Sequence, residues 1–116
     1  MVAKEESVET KGITPAMFHI LLSLAEGPQH GYGIGKSIEI SSEGNFRLGP
    51  GTLYRTLESI RGFGWIRHSK RKMLENDDPR RLYYEITSDG KEILVYELKK
   101  LEVALKKAKK LKLLGN

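Results

Sequence analysis

Apolar positions along the chain fall into runs with two distinct periods. Met17, Ile20, Leu21 and Leu24 recur at the spacing of one helix face, and Phe18, Leu22 and Ala25 add a second apolar row. Thr14 before Pro15 supplies an N-cap and a first-turn proline, while Gly27 and Pro28 end the element, so the pattern predicts a helix from Pro15 to about Ala25. With two apolar rows, one face serves the domain core and the other a partner chain. Residues 30–44 (HGYGIGKSIEISSEG) predict a second helix with Tyr32, Ile34 and Ile38 inward. Asn45 to Gly49 forms the following turn, and Pro50 opens a third helix on which Leu53, Leu57 and Ile60 share one face. Thr52, Arg55 and Ser59 lie opposite, with Tyr54 on the flank.

Beyond Gly62 and Gly64 the period changes. Trp65 begins a strand behind the third helix, where an aromatic belongs to the core. Leu82, Tyr84 and Ile86 alternate with Arg81, Tyr83 and Glu85, the period of a half-buried strand, and Glu75 to Pro79 (ENDDP) is turn chemistry between two strands. Thr87 then caps a long helix in which Leu94, Leu98, Leu101, Leu105 and Ala108 recur at alternating spacings of four and three. A helix of about 40 Å at 1.5 Å per residue is too long for the preceding domain to cover. A second copy of the chain is the natural partner for its seam.

The expected fold is mainly α with a small β-hairpin. Residues 1–12 are polar and acid-rich and form a loose arm, residues 13–86 a winged helix-turn-helix domain, and residues 87–116 one long C-terminal dimerisation helix. At 116 residues the chain has room for one domain with a modest core. It contains no cysteine, hence neither a disulfide framework nor a thiolate metal site. No apolar run is long enough to span a membrane and the start carries no apolar signal region, so a soluble, cytoplasmic protein is expected.

The net charge of +5 is unevenly placed. Residues 1–86 carry +1 and residues 87–116 carry +4, so much of the basicity is a lysine-rich tail that reads as a solvated helix face. The better signal for a polyanionic partner is local: Arg67, Lys70, Arg71, Lys72, Arg80 and Arg81 fall within fifteen positions.

The first residues of a recognition helix are those that meet base edges, and a helix N-terminus attracts phosphate. Gly51 permits close approach of backbone to DNA, Thr52 donates to a phosphate or base, and Tyr54 hydrogen-bonds a phosphate unless it packs on the domain. Arg55 forks onto the O6 and N7 of a guanine. In the hairpin, Lys70, Arg71 and Lys72 before the turn meet Arg80 and Arg81 after it, a cluster suited to phosphates beside a groove. Glu75, Asp77 and Asp78 between them either shape the arginines or dilute the field.

His19, His30 and His68 lie far apart without metal-ligand spacing, and no nucleophile elbow, phosphate loop or dinucleotide fingerprint occurs. No catalytic constellation, metal site or cofactor is expected.

HGYGI at 30–34, GTLYRTLESI with GFGWI at 51–66, and RRLYYEITSDGKEIL at 80–94, in that order, resemble PadR-type transcriptional regulators over residues 13–100. The resemblance implies a homodimeric winged-helix repressor. Its DNA-reading helix falls on Gly51, Thr52, Leu53 and Tyr54, its wing on Arg71 to Arg81, and its dimer is made by the terminal helices, here through Phe18, Leu22, Leu94, Leu98, Leu101, Leu105 and Ala108. Members often bind aromatic or cationic small molecules at the dimer interface and then release DNA. The long helix carries Tyr96 as its one aromatic residue. The position after the tyrosine is usually proline in the family and is Arg55 here, so its base contact rests on the helical wheel. The partner expected is double-stranded DNA with a roughly palindromic operator. The rival reading is a winged-helix protein-protein adapter, which calls for an apolar or acidic outer face on the third helix.

Overall fold

The computed structural model describes residues 12–70 and 81–115. Four helices occur among them: α1 (Pro15–Leu24), α2 (Gly31–Ser41), α3 (Pro50–Gly62) and α4 (Ser88–Lys110). Three strands, β1 (Gln29–His30), β2 (Ile66–Ser69) and β3 (Tyr83–Ile86), form an antiparallel sheet in the order β1-β3-β2. No helix among the described residues is long and apolar enough to cross a membrane.

α1 starts where Thr14 and Pro15 place it, with the Thr14 hydroxyl accepting from the Met17 amide at 3.1 Å. It ends within a residue of the expected Ala25. The helix stops at Leu24, Ala25 is the C-cap, and Gly27 takes up its φ of +142° in the link to β1. α2 closes on Ser42, whose hydroxyl receives the Phe46 amide at 3.0 Å and donates to the Phe46 carbonyl at 3.2 Å. That side chain builds the turn leading into α3.

Ile20, Leu21, Leu24, Ile34, Ile38, Leu53, Leu57 and Ile60 interlock with Trp65, Ile66, Tyr84 and Leu94 in one core. Burying each of these aliphatic side chains is worth about 1.5–3 kcal/mol. Tyr32, expected inward, is 64% exposed instead. It stands two residues from Ile34, about 200° round the helix, so the row that buries Ile34 and Ile38 turns it outward. Leu82 is likewise exposed, at 59%, because the ladder begins one residue later at Tyr83.

β1 is absent from the sequence reading, which begins a helix at His30. Its two residues pair with β3 through Gln29–Tyr84 and His30–Tyr83, and His30 then serves as N-cap of α2. β2 pairs with β3 from Ile66–Ile86 to Ser69–Tyr83, and Trp65 precedes the strand as a buried residue. The ENDDP turn expected at 75–79 lies outside the described residues.

Thr87 joins the sheet to α4. Its hydroxyl accepts from the Gly90 amide at 3.1 Å and donates to the Gly64 carbonyl at 2.6 Å, while its own amide bonds the Trp65 carbonyl at 3.0 Å. Gly90 and Leu94 are buried, so the first two turns of α4 share the core with the winged domain. From Leu98 onward the helix projects away with its seam exposed.

Candidate nucleic-acid interface

α3 carries the polar face. Its N-cap, Gly49, offers no side chain to the first turn, and Pro50 fixes the start while lacking an amide hydrogen itself. The first-turn amides are thus not consumed by a capping side chain. Leu53, Leu57 and Ile60 are buried on the inner side, and Gly51, Thr52, Arg55, Glu58 and Ser59 are exposed on the outer side.

Arg55 folds back along the helix toward its N-terminus. Nη2 donates to Thr52 Oγ1 at 3.3 Å, and Nη1 comes within 3.5 Å of where a Cβ on Gly51 would stand. One turn on, Arg61 Nη2 lies 2.8 Å from Glu58 Oε1. That hydrogen bond, reinforced by the Arg61 charge, holds the Glu58 carboxyl below the ordinary glutamate range. The pair neutralises the acid on an otherwise basic and hydroxyl-bearing face.

Tyr54 packs on the domain without being buried. At 48% exposure it is half open to solvent, yet its ring lies over Gly31 at the start of α2. A groove of about 370 Å³ runs between α2 and the start of α3, with Tyr32, Lys36, Leu48, Pro50 and Tyr54 among its walls. A second concavity of about 360 Å³ continues past Tyr54 to His30, Arg81, Leu82 and Tyr84. Burial raises the phenol pKa of Tyr84.

The hairpin root is braced by Arg67 and Glu85, paired across the strands at 2.6 Å. Lys70 and Arg81 are exposed at the ends of the two strands. Arg81 Nη1 approaches His30 Nε2 at 3.0 Å, while His30 Nδ1 accepts the Gly33 amide at 3.1 Å. A neutral imidazole accepts at one nitrogen only, so the α2 cap and the Arg81 contact compete for the ring. Arg71, Lys72 and Arg80 lie outside the described residues.

The sequence reading missed His30, Gly31 and Tyr32 as parts of this surface. The signal was present in HGYGI, where a histidine stands three residues before an amide it caps.

Of the residues expected at a dimer interface, Leu98, Leu101 and Leu105 form an exposed row on α4, Ala108 and Phe18 are half-buried, and Leu22 is exposed. Leu94 is different. At 4% exposure it is occupied by the protomer's own core, because it falls where α4 still packs on the domain.

The profile of the transcriptional regulator PadR-like family matches residues 20–95, from the middle of α1 through the first turns of α4. The chain belongs to the PadR-like family of transcriptional regulators. A transcriptional regulator from Clostridium thermocellum is similar at 26% identity, covering 90% of this chain and 96% of the other, with a TM-score of 0.65. A PadR family transcription regulator from Clostridium difficile shares the fold at 23% identity and TM-score 0.67, over 84% of this chain and 98% of the other. RosR from H. salinarum does so at 23% identity and TM-score 0.63, over 79% and 76%. No curated protein matches by sequence. The PadR-like winged helix thus accounts for both the hairpin and the terminal helix read from the sequence.

Proposed function

We propose that the protein is a sequence-specific DNA-binding regulator that acts as a homodimeric repressor. The observation carrying this reading is the division of α3 into a buried face of Leu53, Leu57 and Ile60 and an exposed one bearing Gly51, Thr52 and Arg55. That outer face is neither apolar nor acidic as an adapter would require, since its one acid, Glu58, is paired with Arg61. Lys70 and Arg81, exposed at the strand ends, are assigned to phosphate contacts, and Arg71, Lys72 and Arg80 join them on the strength of the sequence alone.

Two copies joined through α1 and α4 would present two α3 helices to successive major grooves, about 34–36 Å apart on a roughly palindromic operator. Leu98, Leu101 and Leu105 supply the apolar row for that contact, with Leu22 and Phe18 on α1. An aromatic or cationic effector would bind at that interface. Tyr96, the one aromatic residue of α4, stands two residues from Leu98, about 200° round the helix, and so lies off the leucine row. The protein would then occupy its operator in the cytoplasm and exclude the transcription machinery until the effector arrives.

The test is selection of bound sequences from random DNA by the purified protein, followed by titration of the selected site at several salt concentrations. If the dimer neutralises about six to ten phosphates, affinity falls about a thousandfold or more between 50 and 200 mM salt. A flat salt dependence, or selection of no sequence, overturns the reading. Repeating the selection with aromatic and cationic compounds tests release.

A further inference from the structure

Thr52 and Arg55 stand on the same exposed face of α3 one turn apart, and the guanidinium is held against the threonine hydroxyl at 3.3 Å. Long side chains on a helix lean toward its N-terminus, so this contact draws the charge over Gly51 and the first turn, the part of a recognition helix that enters the groove. The position is electrostatically poor for the free protein. A cation at a helix N-terminus opposes the macrodipole, and here no acidic residue occupies the first turn to offset it. An exposed arginine with no other constraint would extend into solvent.

We propose that Thr52 is a positioning residue that aims the Arg55 fork at a single guanine, making the two side chains one specificity-determining unit. This rests on the DNA-binding reading above and deepens it. Arg55 carries five N–H donors, and giving one to Thr52 Oγ1 leaves enough for bidentate contact with O6 and N7 of a guanine. Thr52 accepts from Arg55 with its oxygen and keeps its own hydrogen for a neighbouring base or phosphate. Its methyl group is free to meet a thymine methyl beside that guanine. At Gly51 a Cβ would meet Nη1 at 3.5 Å, ordinary van der Waals contact, so the guanidinium lies directly over the first turn. The neighbouring Thr56 hydroxyl donates to the Thr52 carbonyl at 2.7 Å and is spent within the helix, so it does not duplicate the Thr52 role.

The experiment compares wild type, Thr52→Val, Thr52→Ser, Arg55→Ala and the Thr52→Val/Arg55→Ala pair on DNA selected by the wild-type protein. Each is measured on that site, on sites with each base replaced in turn, and on unrelated DNA, with melting temperature recorded in parallel. Valine removes the hydroxyl and keeps the shape; serine keeps the hydroxyl and loses the methyl.

Arg55→Ala is expected to erase about a tenfold or larger preference for guanine at one position, and Thr52→Val to erase most of the same preference at the same position. The double variant should lose little more guanine preference than either single one, and Thr52→Ser should retain that preference; binding to unrelated DNA, measured for each variant, is the baseline against which every preference is read. If Arg55→Ala erases a guanine preference that Thr52→Val leaves intact, or the two losses multiply, the positioning role is overturned while DNA recognition stands. If the wild type binds no DNA above background, both the inference and the function it rests on fail. Equal loss on all sequences with a lowered melting temperature would make Thr52 a structural residue and also overturn the inference.

Discussion

Tyr54 fills the space that a side chain on Gly31 would need, for a Cβ built there would lie 2.6 Å from the ring's Cζ. The contact joins α2 to the exposed side of α3. Two sequence motifs separated by some twenty residues, HGYGI and GTLYR, thus meet in one interlock: the glycine is small because the tyrosine lies on it.

Gly31→Ala therefore pushes the Tyr54 ring outward. Because the ring is half exposed it swings into solvent instead of straining the core, and the stability loss stays near 1 kcal/mol, the lower end for added bulk. DNA affinity should fall more than stability, since the hydroxyl leaves its place over the start of α2. Thermal melts and fluorescence anisotropy on the selected site check this. Unchanged affinity would separate Tyr54 from DNA contact.

Gly90→Ala meets a harder neighbour. The new Cβ would stand 3.0 Å from the carbonyl carbon of Trp65 and 2.9 Å from Ile86 Cγ1. Backbone anchored by the Thr87 and Gly64 hydrogen bonds cannot turn aside as a tyrosine ring does. Alanine would otherwise favour the helix by about 1 kcal/mol over glycine, so the sign of the change is diagnostic. The expected result in urea denaturation is a loss of about 3 kcal/mol. A stabilised variant would mean that α4 does not dock this closely.

These two glycines also mark what was legible in the chain. α1 and α3 were readable because each combines a cap or proline start, Thr14–Pro15 and Gly49–Pro50, with an apolar row that only a helix places on one side. β1 was not, since two residues cannot express an alternation and Gln29–His30 become a strand only through the partner they find in β3. Tyr32 and Leu82 were misplaced for a related reason: apolar character names a residue that gains from burial, while the exact start of α2 and β3 decides its direction. On the site, Thr52 and Arg55 followed from the helical wheel. Arg81 was read as a wing cation, but its contact with His30 was not, because that approach spans fifty-one positions of sequence.

His19 links stability to pH. Its ring stacks on Phe46 with centroids 4.4 Å apart and meets Phe18 edge-on at 5.4 Å, and burial lowers its pKa from the ordinary histidine value of 6.5. The unfolded chain then binds the proton more readily than the folded one. This contribution to stability is complete above about pH 6.5 and drains away as pH falls through the lowered folded value. Urea midpoints measured from pH 7.5 down to 5 should fall more for wild type than for His19→Phe, which keeps the stack without the proton. Parallel curves would exclude His19 as the source.

Leu94 and Leu101 belong to one heptad row but should answer substitution in opposite ways. Leu94 is buried in the winged core, so Leu94→Ala is expected to cost about 2–5 kcal/mol of folding stability, whatever the protein concentration. Leu101, 55% exposed, contributes little to the protomer, so Leu101→Glu should leave its circular dichroism intact. If α4 pairs with a second copy, the buried carboxylates would face apolar neighbours and one another, and sedimentation should shift from dimer to monomer. Operator affinity would then collapse toward that of a single half-site, because the second recognition helix is no longer delivered at high effective concentration. A Leu101→Glu protein that sediments and binds like wild type would place the dimer contact elsewhere.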